Sequence, residues 1–271
     1  MRSITFIFLL CTMASPVLAS ENCAAGKTLA EGSLTIATGN PAYFPWVIDD
    51  KPESGEGFEA AVAYALAEQM GFGNEQVSWV RSSFDEAIQP GAKNFDINLQ
   101  QFSITEDRDK VVDFSEPYYQ SAMAVLSRQT LVDQGVEPSL DSLKELKWGA
   151  VSTTTAVPML QELIAPASSP LLYNDNSDVV AAMQADQIDA ALFDLPTALY
   201  LSAAVLGDGV ILGQFPADRT ENPDQFGMLM EQGSALKVCV DEALETLRSD
   251  GSLAAIESRW LSESTGVPVI K

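Results

Sequence analysis

The run Phe95-Asp96-Ile97-Asn98-Leu99-Gln100-Gln101-Phe102-Ser103-Ile104-Thr105-Glu106-Asp107-Arg108 carries the pattern that decides the architecture. Residues 95–99 read as a strand, which gives way to the polar pair Gln100-Gln101. Residues 103–108 then start a helix, with Thr105 as N-cap and acids in its first turn. The same strand, polar loop and helix recur on both sides of this run. Upstream, 34–38 is a strand broken by Gly39-Asn40-Pro41. A helix follows over 58–70, then a strand over 76–80 and a helical turn over 84–88 that Pro90-Gly91 ends. Downstream come a strand over 123–127, a helix over 140–146 and a strand over 148–151. The Ser152-Thr153-Thr154-Thr155 loop leads into a helix over 157–164. Asn176 or Ser177 caps a helix through 185, a strand over 190–193 ends at Asp194, and 195–205 is helical. A strand at 210–212 follows, the chain returns through 226–230, and two last helices, 236–249 and 252–261, are separated by Gly251. This alternation predicts an α/β protein with parallel sheets covered by helices on both faces. Ligands in such folds lie beyond the carboxyl ends of the strands, here the loops beginning at Gly39, Gln100, Ser152 and Asp194.

Composition narrows the function. The 271 residues include 15 basic and 38 acidic ones and no histidine, a formal charge of −23. Without histidine there is no Ser-His-Asp or Cys-His nucleophile pair, no HExxH metal site and no imidazole proton shuttle. So acidic a chain is no partner for nucleic acid or for an anionic lipid surface. With 46% apolar residues there is ample material for a packed core, in one large domain or two small ones. No glycine-rich phosphate cradle and no EF-hand pattern is present, so neither a nucleotide nor a metal cofactor is expected.

Arg2, the apolar stretch 4–10 and the Val17-Leu18-Ala19 site read as a signal peptide over 1–19, cut after Ala19. The apolar stretch is too short for a membrane anchor. The mature protein is therefore expected to be exported and soluble. Two cysteines remain in it, Cys23 and Cys239. In an oxidising compartment they read as a disulfide, the alternative being two buried free thiols.

Continued through Val112-Asp113-Phe114-Ser115-Glu116-Pro117-Tyr118-Tyr119, the opening run closely resembles the family 3 extracellular solute-binding proteins, which serve ABC importers of polar amino acids. Gly57-Phe58-Glu59 resembles the family's "GFD" at its first helix. Asp189-Ala190-Ala191-Leu192-Phe193-Asp194-Leu195-Pro196 resembles its "DA…D.P" motif, and the last helices, with Gly251 and Trp260, resemble its usual ending. The resemblance spans essentially the whole mature chain, in order. It implies a two-lobed periplasmic-binding-protein type II fold, α/β, with hinge-linked lobes built on mostly parallel central sheets. Lobe 1 would be 24–121 with 224–271, lobe 2 would be 122–223, and the chain would cross between them near 118–122 and 222–226.

An α-amino acid presents a carboxylate and an ammonium a few ångströms apart, and a dry cleft must meet both with fixed opposite charges. The resemblance gives Arg108 the α-carboxylate, helped by Ser103 to Thr105, and gives Asp194 the α-ammonium from the opposite lobe. It makes Tyr43 an aromatic stacked on the ligand. Phe84 would be a second such aromatic, although its spacing to Asp96 departs by about one residue from the family's pattern. Ser152, Thr153, Thr154 and Thr155 fall in the loop that cups the carboxylate, and Trp46 reads equally as core or pocket. Where binders of cationic amino acids commonly carry an acid, this chain has Asn40, and Gln100 and Gln101 stand in place of small residues. With Phe193 as an apolar wall, these favour a neutral polar amino acid. An acidic ligand would want a second cation, and Arg81, Lys93 and Lys147 all read as surface residues.

The resulting expectation is a monomeric periplasmic binding protein, not an enzyme, delivering its ligand to an inner-membrane ABC permease. Two other classes stay open. Gln100-Gln101 departs from the family, which leaves room for an accessory or sensor protein with a ligand-silent cleft. A cyclohexadienyl-dehydratase-like enzyme on this fold would need Glu59, Asp194 or Glu116 as general acid, and the sequence gives none of them a setting that raises its pKa.

Overall fold

Strand β1 (Leu34–Thr38) is buried at Leu34, Ile36, Ala37 and Thr38, as expected of a central strand covered on both faces. The structure, a computed structural model, describes residues 23–217, 223–261 and 267–270; the expected signal peptide lies outside them. After β1, helix α1 (Phe58–Gln69) starts at Gly57, whose φ of 106° and close approach to the Trp46 backbone exclude a side chain. Pro45 and Trp46 carbonyls take the amides of Phe58 and Glu59, so the loop after β1 itself caps the helix. Next come β2 (Val77–Arg81), the short α2 (Phe84–Ala87), β3 (Ile97–Asn98), β4 (Val112–Phe114) and β5 (Tyr119–Ser121).

The second half has β6 (Met123–Arg128), α3 (Gln129–Asp133), α4 (Leu140–Lys144), β7 (Trp148–Val151), α5 (Ala156–Leu163), β8 (Leu171–Tyr173), α6 (Asn176–Gln184), β9 (Ala190–Asp194), α7 (Leu195–Tyr200) and β10 (Gly209–Phe215). Helix α7 passes into a wider π-turn over Leu201–Val205. The chain returns through β11 (Asp224–Phe226) and β12 (Leu229–Glu231), and ends on α8 (Lys237–Ser249) and α9 (Ser252–Leu261).

Two five-stranded sheets result, ordered β2-β1-β3-β12-β4 and β8-β7-β9-β6-β10. They share one plan. β1 pairs in parallel with β2 and β3, and β7 with β8 and β9. β12 runs against both β3 and β4, and β6 against both β9 and β10, so four strands of each sheet point one way and one opposes them. The opposed strand in each sheet is the one entered directly from a crossing: β5 leads into β6, and β11 into β12. Because the crossings lie at the carboxyl ends of the parallel strands, a chain arriving there can only run back against them. β5 and β11 pair with each other, antiparallel, as a two-stranded link.

Alternate residues feed cores on opposite faces, as a strand's period of two requires. Val125 and Leu192 join Leu143, Trp148 and Leu160 on one side of the second sheet. Leu126, Ala191 and Phe193 join Val179, Met183 and Ala198 on the other. In the first sheet Leu34, Ile36 and Ile97 pack on Phe58, Leu66, Val240 and Leu244, under α1 and α8. A disulfide joins Cys23 to Cys239, so the pairing prevails over two free thiols.

The structure differs from the sequence reading in several places. Residues 103–108 do not open a helix. Thr105 Oγ1 does accept the Arg108 amide at 3.3 Å, but the coil stops after one turn because the chain enters β4. The cap of α6 is Asp175, one residue earlier than expected. Residues 267–270 leave the first lobe and lie on β10. There Val269 pairs in parallel with Gln214, and Ile270 packs so closely on Gly213 that a Cβ would sit 2.6 Å from it. No helix among the described residues is long and apolar enough to cross a membrane.

Candidate functional site

The loops that follow β1, β3, β7 and β9 converge on one cavity of about 360 Å³ between the sheets. From the first lobe Asn40, Tyr43, Phe84, Gln100, Gln101, Ser103 and Arg108 line it; from the second, Thr154, Thr155 and Asp194. The sequence reading is thus brought together at ten positions, and three residues fall elsewhere. Trp46 is fully buried among Phe58, Tyr119 and Phe226, where its indole donates to Thr197 Oγ1 at 2.8 Å. Ser152 is exposed and outside the cavity. Thr153 contributes its backbone, while its hydroxyl donates to Asp85 at 2.6 Å.

Arg108 is held by acceptors and by an aromatic face. Its Nη1 donates to the Ser103 carbonyl and its Nη2 to the Thr153 carbonyl, each at 2.8 Å, the second contact reaching across to the other lobe. The guanidinium lies 5.2 Å over the Phe84 ring, itself packed on Phe102, so Phe84 supports the arginine as well as lining the cavity. Burial disfavours the cation, and the Asp224 carboxylate opposes that effect. Among the described residues Arg108 has no carboxylate within 4.0 Å.

Asp194 ends β9 and caps α7, its carboxylate accepting the Thr197 amide at 2.8 Å. A helix N-terminus favours an anion, yet burial outweighs it and pushes the pKa up to about 7, with the Asp224 charge adding to the rise. Behind the cavity Glu59 on α1 is 1% exposed. It accepts the Gln101 amide at 2.8 Å, the Gln101 side-chain amide and the Tyr118 hydroxyl. These bonds fix Gln101 at a φ of 51°, a left-handed conformation that costs a non-glycine residue about a kilocalorie. Burial raises Glu59 to about 7 despite three donors. Glu59 and Asp194 thus depart from the sequence reading, which gave neither a raised pKa: the desolvation comes from elements distant in the chain.

The lobes also meet at Ser103 Oγ and Thr155 Oγ1, 3.1 Å apart, and at Tyr43 Oη and Ser177 Oγ, 3.2 Å apart. Sequence reasoning missed Ser83, Asp85, Asn174, Asp175, Asn176 and Asp224, all of which line the cavity. Asn174 to Asn176 follow β8, a three-residue edge strand with Leu171 and Leu172 exposed, too short to show a strand's alternation. Arg81, considered as a second cation, is occupied by the Gly39 carbonyl and by Asp50. No group of three metal-ligating side chains is found among the described residues.

Comparison with known proteins places this geometry. The family model for bacterial extracellular solute-binding proteins, family 3, matches residues 34–263. The arginine-binding periplasmic protein of Mannheimia haemolytica is 26% identical over 245 residues, 87% of this chain and 94% of that protein. The glutamine-binding protein GlnH of a Bacillus subtilis ABC transporter is 28% identical over 217 residues, 78% of this chain and 76% of that protein. Among solved structures, an ancestral arginine-binding protein bound to glutamine superimposes with a TM-score of 0.70 at 25% identity, covering 86% of this chain and all of that one. All three are named for binding amino acids, and one of them as part of an ABC transporter. With its two like sheets, paired crossings and interlobe cavity, the chain belongs to the bacterial extracellular solute-binding proteins, family 3.

Proposed function

We propose that the cleft binds one α-amino acid, with its carboxylate on Arg108 and its ammonium on Asp194, and carries it through the periplasm as a monomer to an inner-membrane ABC permease. One observation carries this reading: the cavity has a buried guanidinium on one lobe and a partly buried, desolvated carboxylate on the other. A zwitterion spanning them ties the lobes together, which couples binding to closure. The names of the relatives, which include binders of arginine, glutamine, histidine and cystine, support an amino acid as the ligand class.

The side chain is proposed to be neutral and polar. It would meet Asn40, Gln100, Asn174 and Asn176, amides that both donate and accept. An acidic side chain is disfavoured, because the cavity wall holds Asp85, Asp175, Asp194 and Asp224 and, among the described residues, one cation, Arg108. A thermal-shift screen of the twenty amino acids tests this, since a ligand at 100 times its Kd adds about 2.7 kcal/mol. A glutamine, asparagine or serine hit is expected. An arginine or lysine hit would reassign the distal wall to Asp85 and Asp175. An aspartate hit would overturn the site chemistry, and silence of the folded protein would favour the accessory or sensor reading.

A further inference from the structure

We infer that Asp224, on the crossing strand β11, is a second carboxylate for the ligand's α-ammonium, so that the cleft selects a primary amine with two acids and not one. The inference rests on the amino-acid reading of the site.

Asp224 is 7% exposed and lines the same cavity as Asp194, Arg108 and Ser103. It is not neutralised there. Arg108 gives two donors to carbonyls and lies more than 4.0 Å from every described carboxylate, so it eases Asp224 only through its field. The remaining support is the Ser103 hydroxyl, which Thr155 can in turn serve from the other lobe. Asp194 likewise has the Thr197 amide and hydroxyl, with no basic side chain paired to it among the described residues.

The two carboxylates sense each other: the charge of Asp224 raises the proton affinity of Asp194. Burial raises that of both. Two desolvated acids sharing one cavity are stabilised by a cation with more than one N–H to give. A primary ammonium has three, enough for Asp194, Asp224 and one neutral acceptor. A secondary amine loses one of these bonds and brings a methyl group against a carboxylate. The other two acids of the wall differ, since Asp85 takes the Thr153 hydroxyl and Asp175 caps α6.

Isothermal titration of L-glutamine and L-arginine, each beside its Nα-methyl form, tests the assignment on the wild type and on Asp224→Asn, Asp194→Asn and the double variant. Asp224→Asn is expected to weaken the better ligand by about ten- to hundredfold and to narrow the preference for the primary amine. The two single losses should not add in the double variant, because both residues meet one group. Unchanged affinity in Asp224→Asn overturns the proposal. So does an equal loss for primary and methylated ligand, which would make Asp224 only a support for Arg108. Should Asp224→Asn fail to fold, carboxyl 13C titration of the wild type decides: ligand must lower the apparent pKa of Asp224 together with that of Asp194. A wild type that titrates neither of these, nor any other of the twenty amino acids, sinks the amino-acid reading itself, an outcome distinct from the others.

Discussion

In the first lobe the chain leaving β3 reaches Arg108, and in the second the chain leaving β9 ends at once in Asp194; β3 and β9 hold the same place in their sheets. Opposite charges at equivalent positions are held by opposite poles of the backbone. The carboxylate sits on a helix N-terminus, with an amide at hand. The guanidinium has no such use for a helix start. It takes carbonyls from both lobes and an aromatic face, and needs a longer loop to reach them. That loop includes a left-handed Gln101 and is pinned from behind by the buried Glu59. One strand plan therefore serves both charges, and the local loop chemistry decides which charge each lobe presents.

The first way to break this comparison is to remove the cation. Arg108→Ala should weaken amino-acid binding by a hundredfold or more, as expected when a buried carboxylate loses a partner worth about 3–5 kcal/mol. Unchanged affinity by calorimetry would move the carboxylate site. A second test separates the lobes by stability. Replacing Cys23 and Cys239 by serine should cost about 2–5 kcal/mol, read as a lower denaturant midpoint, because the crosslink closes most of the chain into one loop. The loss should fall on probes in the first lobe, such as Trp46, before those in the second, such as Trp148.

The third test concerns the acid behind the loop. Glu59 binds its proton more tightly folded, at about 7, than at its ordinary value of 4.5. Its contribution to stability is therefore complete below pH 4.5 and is lost as the pH rises through 7, a change of up to about 3 kcal/mol. Urea unfolding of ligand-free protein at pH 5 and pH 8 should show that decline. Glu59→Gln should flatten it, leaving the part due to the other carboxyls whose pKa values are raised, Asp96, Asp194, Asp224 and Glu257. A slope identical to the wild type's would show that the Glu59 carboxyl does not titrate in this range. The smallest effect is expected at the rim: Tyr43→Phe removes the contact with Ser177 and should weaken binding by about two- to fivefold, without a change in melting temperature.

What could be read from the sequence was local. Strands β1 and β7 and helices α1, α8 and α9 emerge within a residue or two, because burial on a face leaves an apolar period and Gly71 and Gly251 mark the stops. Strands β4 and β5 are three residues each, and β8 is an exposed edge, so none leaves a periodic signal. At the site, Arg108, Asp194 and Tyr43 could be named from motifs. Trp46 could not be assigned, since an aromatic just after a strand has the same chemistry in a core as in a pocket; its 0% exposure is a tertiary fact. Asp224 escaped because its significance depends on Arg108 and Asp194, far away in the chain. The raised acids escaped for the same reason, desolvation being a property of the assembled cavity.

The seating of residues 267–270 on β10 gives the lobes a connection beyond the β5–β11 pair, and it decides how the molecule bears load. Tension applied between Cys23 and Ile270 enters at Cys23 and passes through the sulfur bridge straight to Cys239. Everything between those residues is bypassed. The force then falls on α8, α9 and residues 267–270, whose grip on β10 joins one lobe to the other. Stretched singly in optical tweezers, the oxidised protein should release only the chain beyond Cys239, beginning with Ile270 leaving Gly213. Reduced, the same molecule should pay out both lobes.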